Sequence, residues 1–270
     1  FVGCNWSSDV CSSDLAPLSR EAALFVNNLL LTAATVAVFV GTLYPLALDA
    51  FDGSKISVGA PFYNLTFVPI VIPLLLLVPF GPMLGWKRAD VLGATQRLGV
   101  AAAVSTIGLA AAWMWQNDGP WGAPFGIALG VWLIAGAFSE IGYRVRLFRG
   151  ATVAEAFSKA RRLPRSAWGT AMAHAGVGVM VIGIVGITSW RVEVIEALAP
   201  GATFDVGSYS ITFQNVESYQ GPNFRADRGS FLVERNGKEI ATLTPEKRVY
   251  PVSDMPTTEA AIYTIWVADL

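Results

Sequence analysis

The 270 residues contain one histidine, His174, which stands inside WGTAMAHAGVGVMVIGIVGITSW, a run from Trp168 to Trp190 with no charged side chain between its tryptophans. An imidazole can ligate a metal, relay a proton or hydrogen-bond a neighbouring helix. As a helix the run spans roughly 33 Å, the thickness of a bilayer core, and tryptophans at both ends suit the two membrane interfaces. His174 then lies roughly 9 Å inside the first tryptophan. A polar group at that depth is costly unless paired, and it faces a bundle interior or a cavity. Haem or metal ligand, proton relay and interhelical glue all stay open from the residue alone. Gly178, one turn on, leaves no side chain beside the ring. It serves either close helix packing or room for a flat macrocycle.

Three other polar residues fall at a similar depth: Asn27 and Asn28 in the first apolar run, and Glu140 near the end of the fourth. One of them is expected to hydrogen-bond the free ring nitrogen and fix the tautomer, as outer partners of metal ligands do. The competing expectation for Glu140 is that its carboxylate extends to the cytoplasmic interface. Cys4 and Cys11 are the only cysteines, so the rest of the chain has no thiolate metal site, CxxC motif or disulfide.

Five apolar spans must position these groups: Ala22–Leu46, Phe62–Leu84, Leu98–Trp115, Pro124–Tyr143 and Trp168–Trp190. Pro69, Pro73, Pro79 and Pro82 predict kinks in the second, tolerable if neighbours satisfy the freed carbonyls. Composition agrees with a membrane protein: hydrophobic residues make up 53% and charged ones 14%, against about 25% charged in soluble domains. The net charge of −1 offers no basic field for nucleic acid; membrane lipid is the expected surrounding.

Loop charges alternate. Lys87, Arg88 and Arg97 follow span two, and Arg144, Arg146, Arg149, Lys159, Arg161, Arg162 and Arg165 follow span four. Asp49, Asp52, Lys55 and Asp118 follow spans one and three. The basic loops are expected in the cytoplasm and everything after Trp190 outside. Trp113, Trp115, Trp121 and Trp190 then form an outer belt, with Trp86 and Trp168 on the inner side.

Residues 191–270 change character. TFDVGSYSITFQNVESY alternates β-formers with polar residues, and GSFLVERNGKEIATLTP reads as a hairpin turning at Asn236-Gly237, the pair a type I′ turn prefers. A small extracytoplasmic β-rich domain is expected, truncated at its C-terminal end. It has no His or Cys, and Tyr219 and Phe224 read as ordinary exposed loop aromatics, with docking of a partner through their loop as the competing reading. Residues 1–15, with their repeated SSD, resemble the translation of a sequencing adapter and are set aside from the fold. The chain is expected to be an internal fragment whose residues 16–190 form an all-α transmembrane bundle of five spans.

SREAALFVNNLLLTAATVAVFVGTLYPL, the proline-punctuated second span, ARRLPRSAWGTAMAHAGVGVMVIGI and MPTTEAAIYTIWVADL together resemble the C-terminal part of the CcmF family of cytochrome c maturation proteins. The resemblance covers nearly all of residues 18–270. It implies an inner-membrane subunit of a cytochrome c haem lyase, with residues 191–270 periplasmic. Its implied partners are a haem-delivering periplasmic chaperone, apocytochrome c with its CxxCH motifs, and other membrane subunits of the maturation complex. It also implies an intramembrane b-type haem, with His174 as one axial ligand to the haem iron. The family's tryptophan-rich haem-handling segment, its periplasmic histidines and its second transmembrane haem ligand have no counterpart here, so the fragment is not expected to act alone. A relative dedicated to a multihaem nitrite reductase fits the same residues. A transporter subunit with an external docking domain is the alternative from another class, weakened because polar groups gather near one face rather than the midplane. A scaffold whose β domain docks partners is compatible with the lyase reading and predicts no haem absorbance.

Overall fold

The computed structural model describes residues 20–54, 56–85, 90–116, 119–147, 150–251, 255–265 and 268–269. Residues 1–15, Lys55, Trp86, Lys87, Arg88, Asp118 and Arg149, used above for boundaries or orientation, lie outside the described residues. The chain divides into two compact units between Trp190 and Arg191.

The first unit is helical. Among the described residues, three helices are long and apolar enough to cross a membrane: α1 (Arg20–Asp52), α6 (Ala123–Arg144) and α8 (Arg165–Ser189). The second predicted span is not one rod. It is α2 (Ala60–Thr66), α3 (Val68–Leu77) and a 3-10 segment (Val78–Met83), bent by 46° at the break after α2. Each piece carries proline in its first turn: Pro61, Pro69 and Pro79. Proline has no N–H to donate, so it suits a helix start and interrupts the piece before it. The freed carbonyls find donors, as a membrane requires. Trp132 Nε1 donates to Leu76 O at 3.1 Å, and Arg97 Nη1 donates to Met83 O at 3.2 Å.

The third predicted span becomes α4 (Val91–Arg97) and α5 (Gly99–Trp115), the latter 17 residues. That is about 26 Å at helical rise, short of a bilayer core by itself. α1 runs past its predicted end at Leu46 to Asp52, because backbone bonding continues beyond the apolar run. Phe25, Phe39, Leu46, Ile107, Val179 and Ile187 stay exposed on α1, α5 and α8. So many bare apolar side chains would drive association in water, whereas lipid solvates them. The chain is a membrane protein with a β domain.

The α6–α8 contact organises this unit. The two helices run antiparallel, with Gly126 meeting Val185, Gly130 meeting Gly178 and Ile182, and Ala137 and Ile141 packing with Ala171 and Ala175. Gly126-x-x-x-Gly130 and Ala171-x-x-x-Ala175 present small residues one turn apart, which lets backbones approach without hydrophobic drive. A Cβ on Gly178 would sit 2.6 Å from Gly130 O. α5 packs on α6 through Ser105 Oγ, which donates to Ala128 O at 2.7 Å. α7 (Val153–Arg161) begins with a capping box, Thr152 and Glu155 each taking the other's backbone N–H.

The second unit is antiparallel. β1 (Thr203–Val206), β2 (Tyr209–Gln220), β3 (Arg225–Arg235), β5 (Glu246–Tyr250) and β6 (Met255–Glu259) lie side by side, while β4 (Lys238–Leu243) pairs the far half of β3. β7 (Thr264–Ile265) and β8 (Ala268–Asp269) form a separate pair. Asn236 and Gly237 take φ of 54° and 72°, the left-handed geometry the β3–β4 hairpin needs. Phe213 and Phe231, paired across β2 and β3, stack at 4.8 Å beside buried Val233.

Candidate functional site

α8 carries His174, and its entry is tightly held. Pro164 caps the helix, and Trp168 Nε1 donates to Ala160 O of α7 at 3.1 Å. Ala171, Ala175 and Gly178 form the buried stripe against α6. At 100° per residue His174 falls at the edge of that stripe, where it is half-buried. The space beside Gly178 is therefore filled by α6 backbone and by Ile134 and Leu133, so this glycine serves helix packing. Gly176, with nothing within 4 Å of a built Cβ, lies off the contact.

On its other side the imidazole borders a half-open cavity of about 680 Å³ lined by α1, α3, the 3-10 segment, α4 (through Thr95) and α8. That volume falls within the roughly 300–1,000 Å³ of pockets that bury most of a small ligand. Its wall is apolar, with Leu30, Leu74, Leu77 and Phe80 prominent. The polar exceptions are His174, Asn27, Thr95, Thr170 and Arg20. Asn27 is half-buried on this wall, while Asn28 is exposed and does not line it. Successive helix positions differ by 100°, so one of the two must turn away. The pair touch each other, Asn27 Nδ2 donating to Asn28 Oδ1 at 3.5 Å.

Glu140 is only 4% exposed, so its carboxylate does not reach the interface. Arg144, 46% exposed, reaches back instead: its Nη2 and Nε donate to Oε1 at 2.7 and 2.9 Å. Oε2 is buried and has no hydrogen-bond partner among the described residues. Glu140 and His174 both line a second void, too narrow for a water molecule, with Pro79, Pro82 and Gly136. No hydrogen bond joins His174 to Glu140, Asn27 or Asn28.

Among the described residues no three His, Cys, Asp or Glu side chains gather to hold a bare metal ion. A lone imidazole on an apolar wall instead suits a metal that arrives with its own equatorial ligands, as haem iron does. The donor set and the volume fit that group. The orphaned Glu140 oxygen borders the same narrow void as the imidazole.

The β domain holds a polar cluster that the sequence did not signal. Glu246, 7% exposed, accepts from Arg228 Nε at 2.6 Å, Arg248 Nε at 2.8 Å and the Tyr219 hydroxyl at 2.9 Å. Burial alone would raise its carboxyl, but the bonds from Arg248, Tyr219 and Arg228 outweigh it and hold it at about 2. Arg228 stacks over the Tyr219 ring at 4.5 Å and Arg248 over Phe224 at 4.6 Å. Tyr219 and Phe224, read above as exposed loop aromatics, are half-buried members of this cluster. The β3–β5 register, which sets Arg228 opposite Glu246, brings them together.

The family profile described as CcmF C-terminal beta-sandwich matches residues 189–270. The cytochrome c-type biogenesis protein CycK of Rhizobium meliloti is 49% identical over 255 residues, covering 94% of this chain and 38% of the relative. CycK of Bradyrhizobium diazoefficiens is 48% identical, covering 92% and 38%. The solved structure of the cytochrome c haem lyase CcmF superposes with a TM-score of 0.61 at 28% identity, over 93% of this chain and 38% of that one. The chain thus spans under two-fifths of the length of the relatives it matches.

Proposed function

Because this chain belongs to the CcmF family of cytochrome c-type biogenesis proteins, we propose that it is the part of a cytochrome c haem lyase in which His174 ligates the iron of an intramembrane b-type haem. The observation that carries this reading is the position of the chain's only imidazole on the wall of an apolar cavity within the helical unit. When bound, such a haem supplies a one-electron couple. The chain's own residues would supply an imidazole nitrogen to the iron, an apolar wall and an acceptor for the imidazole's remaining N–H. Glu140 Oε2 is the leading acceptor, and Asn27 is the other polar group on the wall. Asn28, turned to the exposed side, would act only through Asn27.

A bis-histidine pair needs a second imidazole from outside these 270 residues. In this reading all five apolar segments cross the bacterial inner membrane, α2 with α3 and the 3-10 segment counting as one bent crossing. Antiparallel α6 and α8 support the alternation, as does Trp190 Nε1 meeting Gly119 beside the start of α6. Residues 191–270 then lie in the periplasm. There they meet apocytochrome c, a haem-delivering chaperone or another membrane subunit of the complex, and the product is haem attached to CxxCH motifs.

The test is a reduced-minus-oxidised spectrum of the full-length protein purified from membranes, beside its His174→Ala form. A b-type spectrum that is lost or strongly altered in the variant supports the assignment. An unchanged spectrum assigns His174 to helix packing, and no haem in either protein removes the lyase reading.

A further inference from the structure

α7 leaves an apolar stripe bare. Val153 and Phe157, one turn apart, are 78% and 65% exposed, while Ala156 on the adjoining sector is buried and Ala160 half-buried. At 100° per residue, Val153, Phe157 and Arg161 trace one line along the helix, and Lys159 points to the opposite side. Lys159, Arg161, Arg162 and Arg165 are all exposed, and among the described residues no carboxylate lies within ion-pair distance of them. Residues 145–164, the connection from α6 to α8, hold five basic side chains and one acidic one, Glu155, whose carboxylate accepts the Thr152 N–H.

The stripe lies at one end of the bundle. α6 ends at Arg144 and α8 starts at Arg165; the two run antiparallel with Ile141 packed in one cluster with Ala171, so both termini reach the same level. α7 is held there. Leu163 packs against the cluster of Ala137, Ile141, Ala171 and Ala175, and Trp168 Nε1 donates to Ala160 O. Helices that cross a bilayer end in its headgroup layer, where tryptophan and basic residues are favoured. A nine-residue helix fixed at that height needs little binding energy of its own, because the spanning helices already hold it beside the lipid.

We propose that α7 is an interfacial helix that reads anionic phospholipid: Val153 and Phe157 enter the acyl-chain boundary, and Arg161, on the same line, binds headgroup phosphate. This rests on α6 and α8 crossing the bilayer and is independent of the haem assigned to His174. An apolar stripe ending in an unpaired cation, within a basic connection, matches such a surface in both shape and charge. An acidic protein face shares the charge complementarity, but the headgroup layer already stands at this level of the bundle, so lipid is the occupant.

Full-length protein freed of other reactive cysteines carries one nitroxide, at Val153→Cys, Phe157→Cys, Ser158→Cys or, within the spanning region, Val179→Cys on the exposed side of α8. It is reconstituted into vesicles of phosphatidylcholine, alone or mixed with phosphatidylglycerol. Each label is scored for collision with oxygen, which concentrates among acyl chains, and with a water-soluble nickel chelate. In mixed vesicles positions 153 and 157 are expected to be oxygen-rich and nickel-poor, position 158 the reverse, and position 179 nickel-poor. Omitting phosphatidylglycerol should lower the oxygen-to-nickel ratio at 157 severalfold. Arg161→Gln should do the same in mixed vesicles, while Arg161→Lys and Lys159→Gln have much smaller effects. Nickel access at 157 in mixed vesicles, with 179 shielded, overturns the proposal while α8 still crosses. Shielding of 157 from both reagents also overturns it and assigns the stripe to a protein surface. A ratio at 157 indifferent to phosphatidylglycerol and to Arg161→Gln overturns the anionic-headgroup assignment. Nickel access at 179 removes the crossing on which the proposal rests.

Discussion

Gly178 and Gly176 lie two residues apart on α8, and the structure gives them opposite surroundings. A Cβ on Gly178 would lie 2.6 Å from Gly130 O, 2.7 Å from Ile134 Cγ1 and 3.1 Å from Leu133 Cβ. Ordinary contact for such a carbon begins at 3.4 Å, so α6 and α8 would have to separate by several tenths of an ångström. Two of the three obstacles, a backbone oxygen and a Cβ, cannot swing aside. Overpacking of this kind costs typically about 1–3 kcal/mol. At Gly176 an added methyl meets nothing within 4 Å. Both substitutions remove a glycine from a helix interior, a gain of roughly 0.5–1 kcal/mol each that cancels in the comparison. Gly178→Ala should therefore be less stable than Gly176→Ala by about 1–3 kcal/mol. Thermal unfolding of the full-length variants in one detergent reads this directly: Gly178→Ala should melt below Gly176→Ala. His174 is one turn before Gly178, so Gly178→Ala should also lower bound haem while Gly176→Ala does not. Equal melting temperatures would refute the close α6–α8 crossing, and with it the claim that this glycine serves packing.

Other expectations follow from individual contacts. Trp132→Phe keeps an aromatic ring but deletes the donor to Leu76 O, and should cost about 1–3 kcal/mol in the same unfolding assay, because lipid offers the carbonyl no replacement donor. Glu246 is held at about 2, below its ordinary 4.5, so it adds stability above pH 4.5 that drains away as pH falls through 2. The melting temperature of the β domain should fall across that window in the parent and stay flatter in Glu246→Gln; parallel curves would disprove the cluster's role. Gly237→Ala places a side chain at φ 72° and should destabilise the β3–β4 hairpin by about 1 kcal/mol, seen as faster amide exchange in β4. Glu140→Gln keeps the shape of the side chain while weakening the acceptor beside His174. A higher haem midpoint potential is expected, and an unchanged potential and spectrum would leave Glu140 paired with Arg144 alone.

Much of the architecture was legible from residue order. Apolar runs marked the helices because burial in lipid depends on hydropathy summed over some twenty residues. Pro69, Pro73, Pro79 and Pro82 marked the second span as interrupted because a missing N–H acts locally, while the fold showed that Pro61, Pro69 and Pro79 begin its pieces. Asn236-Gly237 marked its turn because both residues tolerate positive φ. The lone histidine announced itself by composition. Other features depended on how distant segments meet. Whether the gap beside Gly178 held a ligand or a helix was decided by Gly130, forty-eight positions earlier on α6. The choice of Asn27 over Asn28 came from the rotation of α1 against the cavity, and Arg20 joined the wall through the same rotation. Glu246 found Arg228 through strand register, which no local pattern encodes. Backbone preference and hydropathy are properties of short windows, readable in order. Helix rotation, crossing depth and strand register are minima of packing over the whole unit, and only the folded chain selects among them.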